Sequence, residues 1–136
     1  MRGDGYSALL VDDVRELRML LRIALELSGR FHVVGEAEDG VEAVECAEKH
    51  RPDLVILDVS MPVRDGMDAL PLVLQASPQS TVVMLSAIEE KRLGRAAVER
   101  GAAAYIEKGL EPEQLVHELV RLMDAQREND AQSMPK

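Results

Sequence analysis

The chain alternates short apolar runs with longer stretches in which apolar residues recur at helical spacing. Ala8-Leu9-Leu10-Val11 is the first such run, and it ends in Asp12-Asp13. Residues 14–28 then place Leu17, Leu21, Ala24 and Leu25 on one helical face, stopped by Gly29. The unit repeats: residues 32–37 read as a strand and 40–50 as a helix, 54–57 as a buried strand and 68–76 as a helix ahead of Ser77-Pro78. Residues 81–85 read as a strand, and 89–100 as a helix stopped by Gly101. Residues 103–106 form a fifth strand. Pro112, welcome in a first turn, opens a last helix through Leu115, Leu119 and Leu122 to about Met123. Strands alternating with helices predict an α/β fold, because parallel strands need crossovers and helices covering both faces supply them. The three uninterrupted apolar strands belong at the centre of the sheet. Chemistry belongs in the loops beyond the strands' carboxyl ends.

Length and composition narrow the class. The 136 residues suit one compact domain. It is expected over residues 1–123, with the polar segment 124–136 as a frayed end or the start of a linker. Aliphatics and Met supply nearly all of the 46% hydrophobic content, and Tyr6, Phe31 and Tyr105 are the only aromatics, which excludes an aromatic platform for nucleic acid. A net charge of -9 repels phosphate backbones and anionic lipid. Cys46 stands alone, so neither an internal disulfide nor a cysteine zinc cage is available, and a reducing compartment is expected. The amino-terminal apolar stretch is too short for a signal-peptide core, and no run of about 18 apolar residues occurs. A soluble, cytoplasmic protein is therefore expected.

Asp58 poses the chemical question. It closes the run Leu54-Val55-Ile56-Leu57, and Pro62 and Gly66 bar any extension of a central strand, so its carboxylate sits at a strand tip. Burying a lone charge there costs several kcal/mol unless something pairs with it. The other tips carry Asp12 and Asp13, Ser86, and Lys108, all at the same edge of the sheet. Three converging carboxylates need a cation or a raised pKa. Oxygen-only donors with room for waters suit Mg²⁺. Lys108 and the Ser86 hydroxyl then complete a set that could hold a phosphoryl group on Asp58.

This set, in this order, resembles the response-regulator receiver domain of two-component signalling across nearly the whole chain. Asp12-Asp13 resembles the family's acidic pair, and Asp58 within D-V-S-M-P-V-R-D-G resembles its phosphoaccepting aspartate. Ser86 with Ala87 matches the switch hydroxyl position and the small residue after it, Tyr105 the switch aromatic, and Lys108 the lysine. The resemblance implies a flavodoxin-like fold, a doubly wound five-stranded parallel sheet with five helices in strand order 2-1-3-4-5. It implies Mg²⁺ held by Asp13, Asp58 and the Ser60 carbonyl, with Asp12 acting directly or through water. It further implies phosphoryl transfer to Asp58 from a histidine kinase or a histidine phosphotransfer protein, the domain assisting its own phosphorylation and dephosphorylation without being a metabolic enzyme. The surface of the fourth helix, fifth strand and fifth helix would pass the signal to a downstream effector domain or protein, or into a phosphorylation-dependent homodimer. Gly109 stands where many members have proline, so the family's usual cis-proline turn is not expected. Ser60 and Ile88 occupy positions that influence acyl-phosphate hydrolysis, and apolar Ile88 predicts a long-lived phosphorylated state.

Each residue alone has a plainer reading. Asp12-Asp13 could cap the first helix, Asp39 and Asp65 could be turn residues before glycine, Lys108 a surface lysine and Ser86 a strand-end hydroxyl. Tyr105 could simply pack, and Met61 and Met84 are read as core filler. Met19, Ile23 and Leu27 widen the apolar face of the first helix, either as more core or as an exposed patch for a phosphodonor. An aspartyl phosphatase of the haloacid-dehalogenase type would need a carboxylate where Ser60 stands, and a cap insertion for which the chain has no room. A phosphorylation-independent interaction module would have lost a carboxylate or the lysine, and neither is lost. Residues 124–136 are too short and polar for a helix-turn-helix, so no direct nucleic-acid contact is expected.

Overall fold

The structure is a computed structural model that describes residues 5–61 and 65–133. The elements run β1 (Tyr6–Val11), α1 (Arg15–Leu27), β2 (Phe31–Ala37), α2 (Gly40–His50), β3 (Leu54–Asp58) and α3 (Gly66–Ala76). They continue with β4 (Thr81–Ser86), α4 (Glu90–Glu99), β5 (Ala104–Glu107) and α5 (Pro112–Ser133). The strands pair in parallel in the order β2-β1-β3-β4-β5. The three apolar runs are thus the three interior strands, as their lack of a polar face requires.

Alternation along each strand builds two cores. Leu9, Val11, Val55, Leu57, Val82 and Met84 meet Ala43 and Ala47 of α2, Leu70 and Val73 of α3, and Ala97 of α4. Ala8, Leu10, Ile56, Val83 and Leu85 meet Leu21 and Leu25 of α1 and Leu115 and Leu119 of α5. Each fully buried Val or Leu contributes about 1.5–3 kcal/mol, so the central strands can carry polar residues at their tips.

Helix ends follow local chemistry. Asp39 and Asp65, which looked like turn residues, are the N-caps of α2 and α3, accepting from the backbone N–H groups of Glu42 and Asp68. The cap at Asp65 starts α3 at Gly66. Pro71 lies inside α3, where its ring leaves the Met67 carbonyl without its usual donor, and Arg100 Nη1 donates to that oxygen at 3.0 Å. Gly29 and Gly101, the expected helix stops, adopt φ of 73° and 113°.

Two expectations are corrected or decided. Helix α5 does not fray at Met123 but continues to Ser133; residues 134–136 lie outside the described residues. Asp124 accepts hydrogen bonds from the Tyr6 hydroxyl and from Arg30 Nη2, and the Arg127 guanidinium stacks 4.3 Å from the Tyr6 ring centroid. The extension is thus held by polar and cation–π ties to the amino end of β1, which an apolar pattern within the segment cannot reveal. On α1, Met19, Leu20, Ile23 and Leu27 face solvent, Leu27 at 82% exposure, so the wider apolar face is a patch and not core. Among the described residues no helix is long and apolar enough to cross a membrane.

Candidate functional site at the carboxyl edge of the sheet

Parallel pairing brings the strand tips together. Val11 lies opposite Leu57, Asp58 opposite Leu85, and Ser86 opposite Glu107, so the residues that follow each strand share one edge. Carboxylate oxygens of Asp12, Asp13 and Asp58 lie within 4.8 Å of one another. Lys108 Nζ lies 3.1 Å from Asp12 Oδ2 and 3.4 Å from Asp58 Oδ1. This ammonium is the partner that the buried Asp58 required.

The electrostatics remain unbalanced. Asp12 and Asp58 are buried while Asp13 is exposed. Burial, and then the neighbouring Asp12 carboxylate, push Asp58 up to about 6, against the pull of Lys108 and of the Ser60 N–H. A shift of that size corresponds to about 3 kcal/mol, comparable to what one or two buried leucines contribute. Burial works against the Lys108 charge, but Asp58 and Asp12 outweigh it and hold its pKa raised. Three carboxylates against one ammonium leave two negative charges among oxygen donors, one of them open to solvent. Such a donor set fits a hard divalent cation such as Mg²⁺ that retains several waters.

Backbone geometry shapes the floor. The Ser60 N–H reaches Asp58 Oδ1 at 3.4 Å, and Ser60 is exposed; Pro62, read as blocking strand extension, lies outside the described residues. Gly66 N–H donates to the Val59 carbonyl at 2.7 Å. A Cβ on Gly66 would stand 2.0 Å from the Asp58 carbonyl oxygen and 2.9 Å from Val59 Cα. Only glycine lets α3 begin this close to the residue that carries the carboxylate.

Ser86 and Tyr105 meet through Ile88. The Ile88 N–H donates to Ser86 Oγ at 2.9 Å, and the Tyr105 hydroxyl donates to the Ile88 carbonyl at 2.8 Å. Tyr105 is 8% exposed and packs among the α2–α4 side core. Ala87 is exposed beside Ser86, and Ile88 is half-buried against the same core. The Lys108 N–H donates to the Ser86 carbonyl at 2.7 Å, which ties the β5 tip to the β4 tip. Gly109 has φ 130°, and no peptide bond is cis among the described residues. Met84 is fully buried and Met61 packs against the core, as filler does.

The plain alternative for Asp12-Asp13 fails, since the N-cap of α1 is Val14 and no side chain caps it. Asp12 Oδ1 instead accepts from the Val14 N–H at 2.8 Å, which turns its carboxylate back over the strand tips. Residues that sequence reasoning passed over also hold this loop. Arg18, buried on α1, donates from Nη1 to the Asp12 carbonyl at 2.6 Å and from Nε to Glu36 Oε1 at 2.8 Å, and Arg22 takes the other Glu36 oxygen. An arginine beside Leu17 reads as polar surface. Nothing within α1 signals that Glu36, on β2, lies within reach.

A family model described as the response regulator receiver domain matches residues 8–120. The chain is 34% identical over 120 residues to the chemotaxis protein CheY of Bacillus subtilis, covering 88% of this chain and 99% of that one. It is 46% identical over 101 residues to the transcriptional regulatory protein PdtaR of Mycobacterium tuberculosis, covering 74% and 48% respectively. Among solved structures, the CheX-CheY-BeF3-Mg complex from Borrelia burgdorferi contains a similar chain, with TM-score 0.80, 28% identity, and coverage of 86% of this chain and 88% of that one. With a doubly wound sheet in the order 2-1-3-4-5 and this match over residues 8–120, the chain belongs to the response regulator receiver domain family.

Proposed function

We propose that the protein is a phosphorylation-dependent signalling switch whose phosphoacceptor is Asp58. The observation that carries this reading is the placement of a buried Asp58 carboxylate between two further carboxylates and the Lys108 ammonium. Asp12, Asp13, Asp58 and the Ser60 carbonyl would hold Mg²⁺, which when bound supplies charge neutralisation for phosphoryl oxygens. That BeF3 and Mg accompany CheY in the similar complex supports this assignment. One Asp58 oxygen attacks the phosphorus of a donor phosphohistidine. An acyl phosphate forms, the phosphorus–nitrogen bond breaks, and the freed imidazole takes a proton from solvent. Lys108 pairs with the phosphoryl oxygens, and Ser86 and the Ala87 N–H donate to them. The donor is a histidine kinase or a histidine phosphotransfer protein, and the exposed apolar patch on α1 is a surface it can use.

Ile88 links chemistry to output. When Ser86 turns its hydroxyl toward a phosphoryl oxygen, it gives up the Ile88 N–H, and the Ile88 peptide carries the change to Tyr105. Tyr105 lines a groove of about 740 Å³ with Glu90, Leu110, Glu113 and His117, between α4, β5 and α5. A downstream effector or a second copy reads the change there. The test is intact mass after incubation with acetyl phosphate, with and without Mg²⁺, on wild type and Asp58→Ala. A Mg²⁺-dependent gain of one phosphoryl group, lost in the variant, is expected. Labelling that survives Asp58→Ala, or no labelling where Bacillus subtilis CheY is labelled, overturns the assignment.

A further inference from the structure

Beyond the groups that would touch the phosphoryl group or the cation, we infer that Arg18, clamped by Glu36, is the positioning residue that sets the cation affinity of the acidic loop. The inference rests on the reading of Asp12, Asp13 and Asp58 as a cation site. Asp12 is held at all of its polar atoms. Its N–H donates to the Ala37 carbonyl at 3.1 Å, Oδ1 accepts from Val14, Oδ2 from Lys108, and its carbonyl accepts from Arg18 at 2.6 Å. Three of these ties come from backbone or from a residue of the site. Arg18 supplies the fourth, and it alone depends on a side chain outside the site.

The guanidinium is suited to that task. Its side chain is 8% exposed, and its fork spans two acceptors, the Asp12 carbonyl and Glu36 Oε1, with fixed geometry. Glu36 sits on β2 opposite Leu10 of β1, two residues before Asp12, so it is anchored by the sheet itself. Arg22 engages the second Glu36 oxygen, which stops that carboxylate from turning away. Both arginines and burial act on Glu36; burial works to raise its pKa, but the bonds to Arg18 and Arg22 outweigh it and hold it ionised. Arg18 also lines a narrow crevice with Asp58, Ile56 and Leu85. Without this clamp the Asp12 carbonyl loses its donor, and the loop that aims Asp12 and Asp13 at Asp58 is held less firmly. Groups that orient metal-binding side chains from behind typically change affinity by about 10- to 100-fold when removed.

The experiment is calorimetric titration of Mg²⁺ into the full, unphosphorylated chain, with thermal melts alongside. Arg18→Met is expected to weaken Mg²⁺ binding by roughly tenfold or more, and Arg18→Lys by less, since a lysine can keep one of the two bonds. Glu36→Gln, of unchanged size and at the half-exposed end of the pair, is expected to fall between them, and it carries the test if Arg18→Met does not fold. Arg30→Met, which removes an arginine bonded to Asp124 far from the loop, is the control: a lower melting temperature with wild-type Mg²⁺ affinity. Wild-type affinity in both Arg18→Lys and Glu36→Gln overturns the inference, as does an equal loss in Arg30→Met. Wild-type binding that is insensitive to Asp13→Asn, or absent altogether, overturns the cation site itself and with it this inference.

Discussion

Replacing Gly66 by alanine separates local preference from tertiary fit, because the two predict opposite signs. Gly66 is the first residue of α3, and in a helix alanine is favoured over glycine by about 1 kcal/mol, so propensity alone predicts a more stable protein. The packing predicts the reverse. The new Cβ would stand 2.0 Å from the Asp58 carbonyl oxygen and 2.8 Å from its carbon, where ordinary contact begins at 3.4 Å. Those atoms are backbone in a central strand and cannot swing aside like a side-chain end, so α3 must move away by more than an ångström. Overpacking of this kind costs about 1–3 kcal/mol, and the rigid partner puts Gly66→Ala at or above the upper end. With urea m-values of about 1–3 kcal/mol/M for small domains, the denaturation midpoint should fall by roughly 1 M or more. The Gly66 N–H to Val59 carbonyl bond should be lost as well, and it borders Asp58, the proposed phosphoacceptor. A displacement of about 1 Å at a reacting group can cost on the order of 100-fold in rate, so labelling by acetyl phosphate should slow more than the stability loss alone explains. A midpoint equal to or above wild type, with labelling unchanged, would refute the reasoning.

The other predictions concern charge and the β5 and α5 contacts. Asp58 has a folded pKa raised to about 6 from an ordinary value of 3.8, so folding favours its protonated form: that contribution is full below about pH 4 and is lost as pH rises through about 6. In the absence of Mg²⁺, Asp58→Asn should therefore be more stable than wild type at neutral pH by about 1–3 kcal/mol, and the gain should vanish near pH 4. Urea titrations at the two pH values check this, and a less stable Asn variant at neutral pH counts against it. Burial, then the hydrogen bond to Asp124, push the Tyr6 phenol up to about 12, so its contribution to stability is full below about pH 10 and lost as pH rises through 12. The difference in phenolate absorbance between wild type and Tyr6→Phe should titrate near 12, and titration near 10 would show that the α5 extension is not docked there. Asp124→Ala removes the acceptor shared by Tyr6 and Arg30 and should cost about 1–3 kcal/mol, with hydrogen exchange accelerating first in the segment after Met123. Ile88→Gln, which puts an amide where an apolar side chain now packs, should shorten the acyl-phosphate lifetime; an unchanged decay rate removes Ile88 from the hydrolysis argument.

Much of this molecule was legible in one dimension because its signals are local. Apolar runs without a polar face must be interior strands, Gly29 and Gly101 mark turns that need positive φ, and parallel strands force their carboxyl ends to one edge. Hence Asp12, Asp13, Asp58, Ser86 and Lys108 could be placed together from their positions after successive strands. Tertiary structure decided whatever depends on partners distant in sequence. Arg18 became a buried clamp only because Glu36 stands on the neighbouring strand. The polar segment after Met123 became helix because Tyr6 and Arg30 hold Asp124. Gly66 became irreplaceable because the start of α3 presses on the Asp58 backbone. Met19, Ile23 and Leu27 were left in water because α1 turns Leu21, Ala24 and Leu25 toward α5 and the sheet. Hydropathy and spacing record what a residue prefers, whereas burial of a charge, the docking of a polar helix and the close approach of two backbones depend on which distant groups the fold brings to meet it.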